Sequence, residues 1–347
     1  MILPKIINPL RVQNRTLKRI LYLLLFLSAY LRYASWPAKA LLAMVVLSSL
    51  AFASTRFITP ETFLSREEIR KRSLYEKYGK EKVEKYISPL LFKNNHVLAY
   101  YGHPKSKIMG IVGRMKKEPL AKKLIAHAKE YDRLNGPQKG VVPAIYLIYA
   151  TAQPKGRVLK MQKKLLQEYI DFTLENGFLL YIDHQIGVTS LKDMMKTLLP
   201  YLKYPHVHLA FDVEWRTDRP MKEIGFIYGK EINFLQKQMQ SYIEKNNIFG
   251  VRQLVFHQFH KKMVQNPAAV KTNFKQVMLV HSTSGWGPPG NKLSTHARNA
   301  KAITMPHKAF KLWFYYSDRK GVHYDKPIMK PRAVLDLKPE PGLIIYQ

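Results

Sequence analysis

The chain contains no cysteine among its 347 residues. That excludes disulfides, thiolate metal sites and a cysteine nucleophile. Acidic residues are scarce, 24 against 57 lysines and arginines, for a formal net charge of +33. The first 60 residues carry eight basic side chains and no acidic one. The remainder is basic in its own right. Such a field favours anionic surroundings, whether nucleic acid, acidic lipid or an anionic wall polymer, without choosing among them. A lysine-rich composition is equally a trait that a whole proteome can share. No apolar run reaches the roughly 20 residues that a membrane-spanning helix needs. No Gly-x-Gly-x-x-Gly follows a strand pattern, so a dinucleotide cofactor has no support. Internal repeats, low-complexity segments and recognisable nucleic-acid modules are lacking too, and no nucleic-acid partner is expected.

What is there begins with a basic N-terminus. Lys5, Arg11, Arg15, Lys18 and Arg19 precede an apolar run from Ile20 to Leu31, and a second run, Ala40 to Ala53, follows Arg32 and Lys39. The second run ends Ala51-Phe52-Ala53-Ser54, a small-x-small cleavage pattern after a suitable apolar stretch. Residues 1–53 therefore read as an export signal, or, if uncleaved, as a membrane anchor with its basic flank in the cytoplasm. Either reading predicts an exported protein of the envelope or the extracellular space. Residues 54–95 read as a helical lead-in, and residues 96–347 as the fold itself.

From Val97 onward, apolar β-rich runs alternate with amphipathic helical stretches. The predicted strands are Val97–Tyr101, Ala144–Thr151, Gly177–Asp183, Val207–Glu214, Gln253–Phe259, Gln276–Ser282, Phe310–Ser317 and Leu343–Gln347. Helix candidates between them include Leu159–Asn176, Ser190–Leu202, Glu231–Asn246 and Leu293–Ala302. Alternating strands and helices imply a parallel sheet. Eight repeats in about 250 residues match a (β/α)8 barrel of the TIM type, in the α/β class, preceded by an N-terminal helical segment. An open doubly wound sheet is the alternative. No helix follows the eighth strand, and the helix expected at 61–90 is the candidate to take its place.

Barrel sites lie at the C-terminal ends of the strands, and here those ends are polar and aromatic while the strand bodies are apolar. The fourth end, Asp212-Val213-Glu214-Trp215, carries two carboxylates two residues apart, which a continuing strand would point the same way. Glycosidases need one acid to protonate the leaving oxygen and a second carboxylate as base or nucleophile. Glu214 is the candidate general acid, because Trp215 and its neighbours would raise its pKa. Asp212 would orient it or stabilise positive charge, and Asp183 on the preceding strand would share the site. A strand-end pair that only binds lysine or arginine is the structural alternative. Candidates for substrate binding are Tyr101, His103, Gln153, Gln185, Trp215, His257, Gln258, Trp286, Tyr316, Asp318, Tyr346 and Gln347: rings for stacking on sugars and neutral amides for hydroxyl groups. His103, His257 and His260 invite a metal reading. However, no His-x-His pair ends the first strand, and residues three apart do not share a strand face, so no metal is expected. The loop Gly285-Trp286-Gly287-Pro288-Pro289-Gly290 is turn-rich and suits a lip over the site.

Tyr100-Tyr101-Gly102-His103-Pro104, Asp183-x-Gln185, Leu209-Ala210-Phe211-Asp212-Val213-Glu214-Trp215, Val255-Phe256-His257-Gln258-Phe259 and Tyr346-Gln347 together resemble an uncharacterised family of exported bacterial proteins. Many of them are actinobacterial lipoproteins. The resemblance runs from about residue 96 to the end and implies a barrel, but no activity. The chain departs from the family in lacking the lipoprotein cysteine, so lipid attachment there is excluded. Asp212-Val213-Glu214 alone is similar to the Asp-x-Glu strand end of family 25 glycoside hydrolases, the wall lysozymes. It is also similar to the final Asp-x-Glu of family 18 chitinases, without their longer acidic motif. The expectation is an exported barrel that binds an envelope glycan or other wall polymer and cleaves a glycosidic bond. Its basic surface would meet anionic wall or membrane. The competitors are a non-catalytic carbohydrate-binding envelope protein and a metal-dependent hydrolase.

Overall fold

The structure is a computed structural model and describes residues 66–318 and 323–347. The export signal or anchor expected over residues 1–53 lies outside the described residues. Among those described, no helix is long and apolar enough to cross a membrane.

Eight strands of the unit Arg70–Gln347 form one parallel sheet. They are β1 (Asn95–Gly102), β2 (Gly140–Ala152), β3 (Leu179–Gln185), β4 (Val207–Asp212), β5 (Arg252–Gln258), β6 (Val277–Thr283), β7 (His307–Leu312) and β8 (Leu343–Tyr346). Each pairs in parallel with the next in sequence. Leu343 of β8 lies opposite Ala309 on one side and Val97 of β1 on the other. The sheet is thus closed on itself, a (β/α)8 barrel with no open edge.

Strand alternation sorts the side chains into two cores. Outward residues such as Leu98, Leu180, Ile182, Leu209, Phe211, Leu254 and Phe256 pack against the helices. Inward residues such as Val97, Ala99, Tyr101, Tyr146, Tyr181, Ala210, Val255 and Ile345 fill the barrel. The inward alanines 99, 144, 210 and 309 leave room for three large rings. Tyr101 and Tyr146 lie 5.1 Å apart, and Tyr146 stacks on Tyr181 at 5.0 Å and 13°. Large and small side chains alternate so that the interior is packed and not a pore.

The helices follow from the same arithmetic. Helix α1 spans Arg66–Tyr78 and α2 Lys80–Ile87. Val83, Tyr86 and Ile87 of α2 cluster with the inward residues, and the Val251 N–H donates to the Ile87 carbonyl at 2.9 Å, just before β5. This helix closes the N-terminal end of the barrel; it does not take the place of a helix in the outer ring. Helices α3 (Lys117–Asn135), α4 (Lys163–Glu175), α5 (Leu191–Leu198), α6 (Gly229–Lys245) and α7 (Pro289–Ala300) cover the outside. In α5, Leu191, Met194, Met195 and Leu198 recur at helical spacing and are buried, and Ser190 Oγ accepts the Asp193 N–H as N-cap.

Several predicted boundaries differ, among them the following three. The helix expected from Leu159 starts at Lys163, because Val158–Lys160 forms a short antiparallel strand on the end of β2. The fourth strand ends at Asp212, two residues short of Glu214. The seventh spans His307–Leu312, where Phe310–Ser317 was expected. Beyond it the Trp313 N–H donates to Asp325 Oδ2 at 3.0 Å and the Phe314 N–H to the Gln347 carbonyl, so the aromatic run leaves the ladder.

Candidate active site

A cavity of about 920 Å³ opens at the C-terminal ends of the strands. Among the residues lining it are Tyr101, Gln153, Gln185, Asp212, Glu214, Trp215, Trp286, Lys311, Trp313, His323 and Gln347. That is the end at which barrel enzymes carry their sites.

Asp212 and Glu214 both reach the cavity, but not by strand alternation. Asp212 caps a turn of 3-10 helix, Val213–Trp215, and its Oδ1 accepts the Glu214 N–H at 3.3 Å. Surrounding backbone fixes this turn. The Gly225 N–H donates to the Glu214 carbonyl at 2.7 Å, and the Gly187 N–H to that of Trp215 at 2.9 Å. Arg216 then grips Glu231 through two bonds of 2.8 Å. Burial, reinforced by the neighbouring Asp212 charge, pushes the Glu214 carboxyl up to about 8. Burial also raises Asp212, against the pull of His257 and Lys311. One cavity therefore holds two carboxyls of which one keeps its proton at neutral pH.

Beneath them is a buried polar layer. Tyr101 donates to Asp183 Oδ2 at 2.8 Å, His257 Nε2 lies 3.6 Å from the same oxygen, and the Tyr146 hydroxyl is 2.9 Å from His257 Nε2. Asp183 and His257 thus support the floor and do not line the cavity. Among the described residues no three His, Asp or Glu side chains converge to hold a metal ion.

The wall on the β6–β7 side carries three rings. Trp286 is 47% exposed and stacks on His323 with centroids 3.9 Å apart, and Trp313 Nε1 donates to the Ser284 carbonyl at 2.9 Å. One buried ion pair fastens both loops. Lys292 Nζ lies 3.1 Å from Asp325 Oδ2 and donates to the carbonyls of Gly285 and Lys311, while Asp325 accepts the N–H groups of Gly287 and Trp313. At the ends of β1 and β8 Gly110 has φ +120, and a Cβ there would sit 2.4 Å from the Tyr101 carbonyl oxygen. Only glycine permits that approach.

The predicted residues divide accordingly. Tyr101, Gln153, Gln185, Asp212, Glu214, Trp215, Trp286 and Gln347 meet at the cavity. Besides Asp183 and His257, five others do not line it. His103 Nδ1 accepts the Lys105 N–H in its own turn. Gln258 alternates outward, where its side chain bonds His281 and the His260 carbonyl. Tyr346 also faces out, its hydroxyl 2.7 Å from that of Tyr131. Tyr316 lies under the Arg114 guanidinium, 3.9 Å from its ring centroid, and Asp318 pairs with the same arginine. Lys311 was missed. It is buried on β7, lines the cavity and sits with Nζ 3.5 Å from the Tyr101 ring centroid. The signal was in the sequence: Phe310 and Leu312 flank it, and if they face the helices, Lys311 must face in.

No protein-family model matches the chain, and no curated protein matches it. The resemblance to exported barrel proteins therefore rests on the residue motifs alone. Several solved structures are similar in outline. Oxaloacetate acetylhydrolase in complex with the product oxalate is 11% identical, with a TM-score of 0.44 over 78% of this chain and 80% of that one. A GH5-4 broad specificity endoglucanase from Clostridum cellulovorans is 8% identical, with a TM-score of 0.42 over 74% and 85%. A glycoside hydrolase family 18 N-acetylglucosaminidase from Paenibacillus barengoltzii is 10% identical, with a TM-score of 0.37 over 64% and 69%. At these identities and scores the likeness bears on neither substrate nor mechanism; its own strand pairings make the chain a (β/α)8 barrel.

Proposed function

We propose that the barrel is an exported glycoside hydrolase of an envelope glycan, with Glu214 as general acid. The observation that carries this is the pair of carboxyls in one cavity, Asp212 buried and Glu214 partly buried, with Glu214 pushed up to about 8 beside Asp212. A protonated Glu214 can give its proton to the leaving oxygen as the glycosidic bond breaks. Asp212 holds the Glu214 backbone, and His257 and Lys311 favour its charged form, so it is the group to stabilise developing positive charge on the sugar. Asp183 acts as a positioning residue through Tyr101. Trp215, Trp286 and Trp313 offer faces for sugar rings, and Gln153, Gln185 and Gln347 offer amides for hydroxyls. The basic, acid-free first 60 residues and the Ala51-Phe52-Ala53 pattern support export. The net charge of +33 supports residence near an anionic wall polymer or membrane surface.

The test follows new reducing ends when the full chain is given peptidoglycan, chitin and other envelope glycans, with Asp212→Asn and Glu214→Gln alongside. Turnover in the parent and a loss of at least a hundredfold in both variants is the expected result. Sugar binding without turnover in all three proteins would replace this reading with a carbohydrate-binding role.

A further inference from the structure

Among the described residues three lysines are buried in and around the barrel, and they are not equivalent. Lys292 has Asp325 and two carbonyls. Lys308 donates to the carbonyls of Asn299 and Ala302. Lys311 Nζ has no hydrogen bond or ion pair among the described residues; it touches only rings, Tyr101 at 3.5 Å and Trp313 at 4.8 Å. A buried ammonium ordinarily takes acceptors, because leaving them out is costly. Here the amine is 3% exposed as a residue, lacks acceptors and faces a cavity large enough for a small molecule.

We infer that Lys311 is a nucleophile for a carbonyl ligand: an aldehyde or ketone entering the cavity forms an imine with its Nζ. The neutral amine adds to the carbonyl carbon, and the former carbonyl oxygen becomes a hydroxyl on a carbinolamine. Glu214 gives its proton to that hydroxyl, the C–O bond breaks and water leaves an iminium, whose N–H proton returns to the Glu214 carboxylate to give the C=N bond of the imine. Nothing is oxidised or reduced; amine and carbonyl become imine and water. The charged groups facing Nζ are Asp212, Asp183 and Glu214, which favour the ammonium, and Lys292, which opposes it; burial outweighs them and lowers Lys311 to about 8. A share of the amine is therefore neutral near pH 7.5, unlike an exposed lysine. The cavity of about 920 Å³ and its amide-bearing glutamines suit a short hydroxyaldehyde or an open-chain sugar.

Glycolaldehyde is the probe. The full chain is incubated with it and cyanoborohydride at pH 7, and each lysine peptide is followed by mass, since reduction fixes the imine as a hydroxyethyl group. Lys311 is expected to be modified at least tenfold faster than the exposed lysines, and more slowly in Glu214→Gln. Modification spread over exposed lysines with Lys311 no faster would overturn the proposal. An unchanged Lys311 rate in Glu214→Gln would overturn the role given to the acid. Either failure leaves the hydrolase reading standing, because that is read from new reducing ends and not from modification of Lys311.

Discussion

Glu214→Gln separates the protonation of Glu214 from any assumption about substrate. The carboxyl has an ordinary value of 4.5 and is raised to about 8 in the folded protein. The folded state therefore holds a proton that the unfolded chain gives up between those values. Stability must fall as pH rises through that window, with no penalty below 4.5 and the full penalty above about 8. The full effect corresponds to about 5 kcal/mol at 1.36 kcal/mol per pKa unit, an upper bound because the side chain keeps some contact with water. Glutamine has the same shape and no charge to desolvate. Urea unfolding of the two proteins at pH 4.5 and pH 9 should give similar stabilities at the lower pH. At the higher pH the glutamine variant should be more stable by about 2 kcal/mol or more. Lys311 and Asp212 titrate in both proteins, so the difference reports Glu214 and its coupling to Asp212. A difference that does not change with pH would refute the reasoning, and with it the case for Glu214 as an acid at neutral pH.

Other expectations follow from the surroundings of the site. Asp325→Ala leaves Lys292 buried without its carboxylate and should cost about 3–5 kcal/mol in denaturant unfolding, with Trp286 fluorescence shifted toward that of a solvated indole. Gly110→Ala places a methyl against the Tyr101 carbonyl at a left-handed φ and should cost about 2 kcal/mol or more. Gly290→Ala, in helix α7 with open space around it, should be neutral or stabilising by about 0.5 kcal/mol; equal thermal shifts for the two would contradict the geometry. Tyr346→Phe removes the partner of the Tyr131 hydroxyl and should cost about 1 kcal/mol while leaving glycan turnover and binding unchanged. A large loss of turnover at constant folding would return Tyr346 to the site.

The order of eight strands, the apolar faces of the helices and the polar strand ends were legible in the sequence, because each depends on neighbours a few residues away. Periodicity of two or 3.6 is a local property, and burial follows it. The amphipathic helix expected over Ser190–Leu202 is present as Leu191–Leu198, with Leu191, Met194, Met195 and Leu198 buried. The acid pair at 212 and 214 was likewise evident. What misled was the end of an element. The chain leaves the ladder after Asp212, whose side chain takes the Glu214 N–H, and β7 ends where Asp325, twelve residues on, takes the Trp313 N–H. With the seventh strand expected to end at Ser317, Lys311 read as strand body and not as a strand end.

The sequence by itself determined that strands and helices alternate and that acids, amides and rings gather at one end of a parallel sheet, since composition and period settle which face each residue takes; the pairing of β8 with β1 decided that the sheet closes. Tertiary structure alone decided which of those residues meet. Tyr346, Gln258, Tyr316 and Asp318 found partners away from the cavity, while Lys311 and Trp313 came in from β7 and its C-terminal edge. It alone decided the protonation of Glu214 as well. A carboxyl's affinity for its proton depends on the water it has lost and the charges that surround it, and both are fixed only when the barrel has closed.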